Sequence, residues 1–291
     1  MTRLMTRLTG ALLALLFVAT PAFAQADDDR VLKPAEPDFT LMSLPTSLRM
    51  PKGGAAFRIT HRFVRSLTEG DFGDVAADLF GMDNGAVMGL EFRYGLLPNA
   101  FVGVKRVSGR KIIEFWGVYG LTRQTEDMPL EMAAYVGVEG TNNFGLSGDD
   151  QDYSGSFGLV LSHLFGETAA VHLQPVWVAN ANFDEIPDDD GDVDDSTMLL
   201  GFGGRFRLTS TVYFVGEYAP RIAGASPGVS HGSFGIEKRV GGHLFQLNFS
   251  NSLNTTLGQL ARGGFKINDP TEGDREETPW FLGFSITRKF F

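Results

Sequence analysis

From Ala55 to the C-terminus, apolar residues recur at every second position in runs of about ten residues, separated by stretches rich in Gly, Asp, Asn and Pro. In one run Met88, Leu90, Phe92 and Tyr94 alternate with Val87, Gly89, Glu91 and Arg93. Elsewhere Phe57, Ile59 and Phe63 oppose Arg58, Thr60 and Arg62, while Ile113, Phe115, Tyr119 and Leu121 oppose Glu114 and Thr122. Leu130, Met132, Ala134, Val136 and Val138 oppose Glu131, Tyr135 and Glu139, and Phe202, Phe206 and Leu208 oppose Arg205 and Arg207. Successive side chains of a strand point to opposite faces, so each run has a greasy side and a charged side. One such run also suits a soluble sandwich; the connections separate the two cases.

The runs predict about twelve strands, at 55–66, 86–96, 99–107, 111–123, 129–140, 154–165, 168–180, 197–208, 211–222, 229–239, 242–252 and 279–291. The links Leu96-Leu97-Pro98, Gly166-Glu167, Thr209-Ser210 and Gly241-Gly242 are tight, whereas those at 67–85, 141–153, 181–196 and 253–278 are long and polar. Short periplasmic turns alternating with long outer loops mark bacterial membrane barrels. The predicted fold is therefore all-β, a single antiparallel transmembrane β-barrel over residues 54–291. In the outer loops, 70–81 predicts a two-turn helix with acid near its start, and Asn254 is the expected cap of a short helix through Leu257 and Leu260 to Gly263. Each either packs on the rim or folds into the mouth.

Ahead of the barrel the pattern stops. Arg3 and Arg7, the apolar stretch Ala11 to Val18 and the Ala22-Phe23-Ala24 motif read as a secretory signal over residues 1–24, with cleavage expected before Gln25. The apolar stretch falls well short of the ~20 residues of a helical span. Residues 25–53 carry Asp27-Asp28-Asp29 and Pro34, Pro37, Pro45 and Pro51 with no sustained period, which predicts an extended periplasmic arm with a short helical turn near Ser43 to Met50.

Composition narrows the chemistry. The 291 residues include no Cys, which excludes a disulfide framework, a thiolate nucleophile and Cys-ligated metal centres. With 25 Lys+Arg against 35 Asp+Glu the net charge is −10, the wrong sign for a phosphate-binding surface, so no nucleic-acid partner is expected. Export followed by a barrel places the protein in the outer membrane of a Gram-negative bacterium, with membrane lipids and the barrel-assembly machinery as expected partners. The chain ends on Phe291, similar to the sorting signal of such barrels, although Trp280, Leu282, Phe284 and Ile286 share their face with Arg288 rather than with Phe291.

Leu48 to Phe63 (LRMPKGGAAFRITHRF), Asp71 to Asn99 (DFGDVAADLFGMDNGAVMGLEFRYGLLPN), Asn248 to Gly264 (NFSNSLNTTLGQLARGG) and the closing segment Trp280 to Phe291 carry a resemblance. On these segments the chain resembles a bacterial β-barrel family catalogued as domain of unknown function 5777. The resemblance covers most of the chain after the signal. It implies a barrel and brings no catalytic or ligand-binding residue with it.

Three features bear on function. His231 and Ser233 share one strand face, and Asn248 across the next turn completes a Ser-His-Asn set of the kind outer-membrane lipid hydrolases use. Their predicted lumen orientation argues against catalysis, since that chemistry needs the lipid side. The loop around Asp188, Asp190 and Asp192 offers oxygen ligands for weak calcium binding, against the leading reading of a solvated acidic loop; no other cofactor is expected. Arg58, Arg62, Glu91, Arg93, Glu114, Glu131, Arg205, Arg207, Glu217 and Glu237 fall on the charged faces and are expected to line the lumen as a paired network. The leading functional expectation is a narrow channel for small solutes. A closed structural or surface-binding barrel with functional outer loops is the alternative, and a lipid hydrolase the remote one.

Overall fold

The computed structural model describes residues 32, 34–146, 152–182, 193–226, 228–269 and 275–291; the signal segment and Asp188, Asp190 and Asp192 lie outside them. Strands β1 (Ala55–Phe63), β2 (Ala86–Leu97), β3 (Ala100–Val107), β4 (Ile112–Thr122), β5 (Glu131–Gly140), β6 (Tyr153–Phe165) and β7 (Ala169–Ala179) follow one another as antiparallel neighbours. They continue through β8 (Thr197–Arg207), β9 (Val212–Ala219), β10 (Arg221–Gly224), β11 (His231–Val240) and β12 (His243–Ser250). After a small separate hairpin, β13 (Ile267–Asp269) and β14 (Arg275–Glu277), the chain ends in β15 (Phe281–Phe290). Pairing of β1 with β15, from Ala55 opposite Phe290 to Arg62 opposite Gly283, closes the ring. β10 extends β9 beyond Pro220 along β8, so the thirteen-stranded sheet is a barrel of twelve staves.

The connections at 98–99, 123–130, 166–168, 208–211 and 241–242 share one end of the barrel with both of its termini, Ala55 and Phe290. By the turn-length rule this is the periplasmic end. The four tight and four long links anticipated from sequence sit at opposite ends. Two others depart from strict alternation: the tight 108–111 turn lies at the outer end and the longer 123–130 link at the periplasmic end.

Burial is inverted relative to a water-soluble protein. Leu90, Phe92, Val136, Phe157 and Leu247 stand exposed on the outer surface, while Arg58, Arg93 and Arg205 are among the largest fully buried side chains. Both follow from closing a sheet in lipid: the ladder satisfies the backbone, the apolar face meets acyl chains, and polar side chains go to the lumen.

The arm departs from expectation. Rather than extending into the periplasm, residues 35–50 lie inside the barrel, with Phe39, Leu41, Met42, Leu44, Leu48 and Met50 buried. They form a hairpin, not a helical turn: Leu41 N–H donates to Leu44 O at 2.8 Å and Thr46 N–H to Phe39 O at 2.9 Å. It enters past Lys289, whose Nζ donates to Pro37 O at 2.7 Å, and returns to the periplasmic end, where Gly53 N–H donates to Gly95 O at 2.8 Å. The physical reason is room. About eight strands fill their interior with their own side chains, and a ring of twelve leaves a core that apolar residues scattered among prolines can occupy.

Among the described residues, two short α-helices lie in the outer loops. In α1 (Phe72–Ala77), capped by Asp71, only Val75 is buried, so it packs on the rim. In α2 (Leu257–Arg262) the residues Leu257 to Ala261 are all buried, and the helix turns into the barrel mouth. Its N-cap is Thr256 rather than the anticipated Asn254: Thr256 Oγ1 accepts from Gln259 N–H at 3.2 Å. Asn254 Nδ2 instead donates to the carbonyls of Gln259 and Gly263, both at 2.8 Å, closing the far end of the helix.

Candidate functional site: the plugged lumen

Strand pleat decides which side chains reach the interior. Arg58, Arg62, Glu91, Arg93, Glu114, Glu131, Arg205, Glu217 and Glu237 all occupy inward positions and are buried. Arg207 shares the parity of Arg205 but lies at the periplasmic rim, where it pairs with Glu167 at 3.2 Å. The Asn248 position also differs from expectation. The register sets Asn248 opposite Gly235 and Ser233 between Glu217 and Ser250.

The site has three tiers, and the arm takes part in two. Nearest the periplasm, Asp38 accepts from Arg93 Nη1 at 3.2 Å and from Thr287 Oγ1 at 2.8 Å. Burial pushes the Asp38 carboxyl up, but Arg93, Lys289, Arg58 and Arg205 outweigh it and hold the group below the usual carboxylate range. Arg205 forks onto Glu237 at 2.7 and 3.0 Å, and it also donates to the carbonyls of Asp38, at 3.2 Å, and Thr40. Arg58 donates to Met42 O at 3.0 Å and Gln246 to Leu41 O at 3.0 Å. The Phe39 ring packs between Phe101 and Phe291 at 5.5 and 6.2 Å, with the Arg93 guanidinium over it.

At the hairpin tip the polarity reverses, because here the wall accepts. The Glu217 carboxylate takes N–H bonds from Met42, Ser43 and Leu44 at 3.0, 2.8 and 3.0 Å, three amides of one turn converging on one anion. The wall is also cut to the shape of this turn. A Cβ at Gly203 would meet Leu41 Cδ1 at 2.3 Å, and one at Gly201 would meet Leu44 Cδ1 at 3.0 Å. On the return limb Gln174 donates to Pro45 O at 2.6 Å, and the hydroxyls of Ser47 and Ser162 bond each other.

The outer tier belongs to the α2 loop. Arg62 donates to Ser252 O at 3.1 Å and to Asn254 O, Lys105 donates to Thr255 O, and Arg262 bonds Glu139 and, at 3.2 Å, Ser154. Arg62 also donates to Ser43 Oγ at 2.9 Å and so ties the two inserts together.

This geometry bears directly on the hydrolase alternative. Ser233 Oγ lies 3.3 Å from His231 Nε2, but Glu217 Oε1 lies 2.8 Å from the same nitrogen, and Ser252 Oγ faces Nδ1 at 3.0 Å. A proton relay needs its nucleophile and its carboxylate on opposite ring nitrogens. Here both crowd Nε2, and the carboxylate is engaged by the arm. His231 and Ser233 therefore anchor Glu217. Among the described residues no cluster of potential metal ligands occurs.

Residues 38–290 match the profile of a family described as a membrane-bound β-barrel domain, domain of unknown function 5777. No curated protein matches the sequence. Among solved structures, the NanC porin shares 8% identity at a TM-score of 0.49, over 81% of this chain and 99% of that one. The KdgM porin in complex with disordered oligogalacturonate shares 6% identity at 0.46, over 82% and 99%. The Ralstonia pickettii toluene transporter TbuX shares 10% at 0.42, over 83% and 90%.

Proposed function

The chain belongs to the membrane-bound β-barrel family of domain of unknown function 5777, and from that premise we propose that it is an outer-membrane channel for small solutes, closed at rest by its own N-terminal arm. One observation carries this reading: a hairpin with both ends at the periplasmic side fills the middle of a lumen lined by Arg58, Arg205 and Glu217. A barrel that served only as a rigid body has no need for a polar wall notched by Gly201 and Gly203 to receive a separate segment. The hairpin can withdraw the way it entered without breaking any strand pairing. Outer-membrane placement rests on the closed barrel, its turn lengths and the N-terminal signal pattern.

Burial of α2 favours a second reading, a permanently closed barrel acting through its outer loops. Planar-bilayer recordings separate the two. Wild-type protein is expected to show rare, brief openings, and Gly203→Leu, which removes the seat of Leu41, long-lived ones. A correctly folded Gly203→Leu barrel that never conducts establishes the permanently closed alternative.

A further inference from the structure

The bonds that hold the arm also describe what can replace it. In the periplasmic tier Arg58, Arg93, Arg205 and Lys289 are buried wall cations, and the wall carboxylates beside them are Glu91 and Glu237. Wall charge alone is therefore positive there, and the arm supplies the balancing carboxylates, Asp38 among these donors and the buried Glu36 next to His172. It supplies oxygen acceptors as well: Lys289 takes Pro37 O at 2.7 Å, Arg58 takes Met42 O at 3.0 Å, and Arg205 takes Asp38 O at 3.2 Å. Thr287 Oγ1 adds a neutral donor to the Asp38 carboxylate at 2.8 Å.

Once the arm leaves, Lys289 and Arg58 lose their arm acceptors together, while Arg93 keeps Glu91 and Arg205 keeps Glu237. Four wall cations then face two wall carboxylates, and an under-compensated cation cluster is costly. An open lumen would therefore draw in an anion, and the Arg58 guanidinium, which forks onto no wall carboxylate, prefers one that accepts two parallel bonds. A carboxylate meets that requirement. The spacing asks for more, because Arg93 and Thr287 address the carboxylate of Asp38 while Arg205 addresses a carbonyl oxygen of the same residue. A ligand that reproduces the set carries a carboxylate and a second oxygen acceptor a few bonds away, as hydroxy acids and short dicarboxylates do.

We propose that Arg58, Arg93, Arg205, Lys289 and Thr287 form a carboxylate-binding constriction, that Asp38 occupies it as an internal mimic of the solute, and that small organic acids are the class the open channel passes. This inference rests on the plugged-channel reading, and it supplies that reading with an opening signal. An acid that reaches this tier competes with Asp38 for the same donors and so frees the arm.

The test uses the full chain in planar bilayers, as Gly203→Leu and as Asp38→Asn, with folding verified by heat-dependent gel mobility. Under a tenfold KCl gradient, the open state is expected to favour chloride over potassium by roughly threefold or more, since fixed wall charge sets the field in a narrow path. Millimolar malate should cut the chloride current of Gly203→Leu at least in half, while uncharged malamide should leave it unchanged. Arg58→Gln with Arg205→Gln, or Lys289→Gln alone, placed in Gly203→Leu should lower the chloride preference and weaken the malate block. Conduction that favours potassium, or equal effects of malate and malamide, overturns the carboxylate site and leaves the plugged channel standing. Silence in both opening variants overturns the channel reading and the carboxylate site with it.

Discussion

The arm hairpin at 35–50 and the α2 loop fill the lumen from opposite ends, and they are tethered to the barrel in different ways. The arm presents mainly its backbone to the wall: three amides to Glu217, and carbonyls to Arg58, Arg205, Gln246 and Lys289. Both of its ends leave by the periplasmic mouth. The α2 segment also offers carbonyls to wall cations, Arg62 and Lys105, but it connects β12 to β15 and adds its own side chain Arg262, bonded to the wall through Glu139 and Ser154. An insert continuous with two neighbouring staves tilts or lifts, whereas an insert anchored at one end slides out. The difference assigns the stopper role to the arm and the cap role to α2.

The comparison sharpens first at a buried ion pair of the wall that also donates to the arm. Arg205→Met leaves Glu237 buried without its fork and deprives the arm carbonyls of a donor, so a loss of about 3–5 kcal/mol is expected in urea unfolding followed by tryptophan fluorescence. An effect below about 1 kcal/mol would mean that water already reaches this tier. Gly203→Leu comes next. It overpacks the Leu41 seat, and the usual cost of about 1–3 kcal/mol should appear as proteolytic cleavage of the arm with the barrel left intact. Cleavage of the α2 loop instead would reverse the roles given to the two inserts.

Smaller effects separate the two helices. Thr256→Ala removes the N-cap of buried α2 and should cost about 1 kcal/mol, whereas Asp71→Ala on exposed α1 should cost about half that. Equal losses would place both helices on the rim. The weakest response expected is to acid. The Asp38 carboxyl is held below its ordinary value of 3.8, so its contribution is complete above that value and is lost only as pH falls through the lower folded-state value. Arm protection should therefore be unchanged between pH 7 and about pH 5. Release of the arm in that window would show that Asp38 is not held by the cations around it.

How much of this was legible in sequence follows from what each feature depends on. The staves were readable because the period of two is local: Glu91 and Arg93 against Leu90 and Phe92 already fix which face meets lipid. The inward set followed from the same parity, apart from Arg207, whose position at the end of β8 sends it to the rim. The arm was not readable as a plug, because its apolar residues Phe39, Leu41, Leu44 and Leu48 have no period and pack only against a lumen assembled from distant strands. One signal was available: inward Gly201 and Gly203 stand where a charged or bulky residue suits the lumen pattern, and the missing side chains mark where the arm fits. Glu217 was missed as the partner of His231 and Ser233 because the pairing of β9 with β11, not sequence spacing, brings them together.

The most direct test uses the absence of cysteine from the chain. Ser47 on the arm and Ser162 on β6 touch through their hydroxyls, so Ser47→Cys with Ser162→Cys should form a disulfide that fixes the arm in the lumen. Single-channel recording of this double variant is expected to be silent under oxidising conditions and to show openings once a reductant is added. Failure of the disulfide to form in a folded barrel, or openings of equal frequency before and after reduction, would contradict the claim that the arm is the stopper.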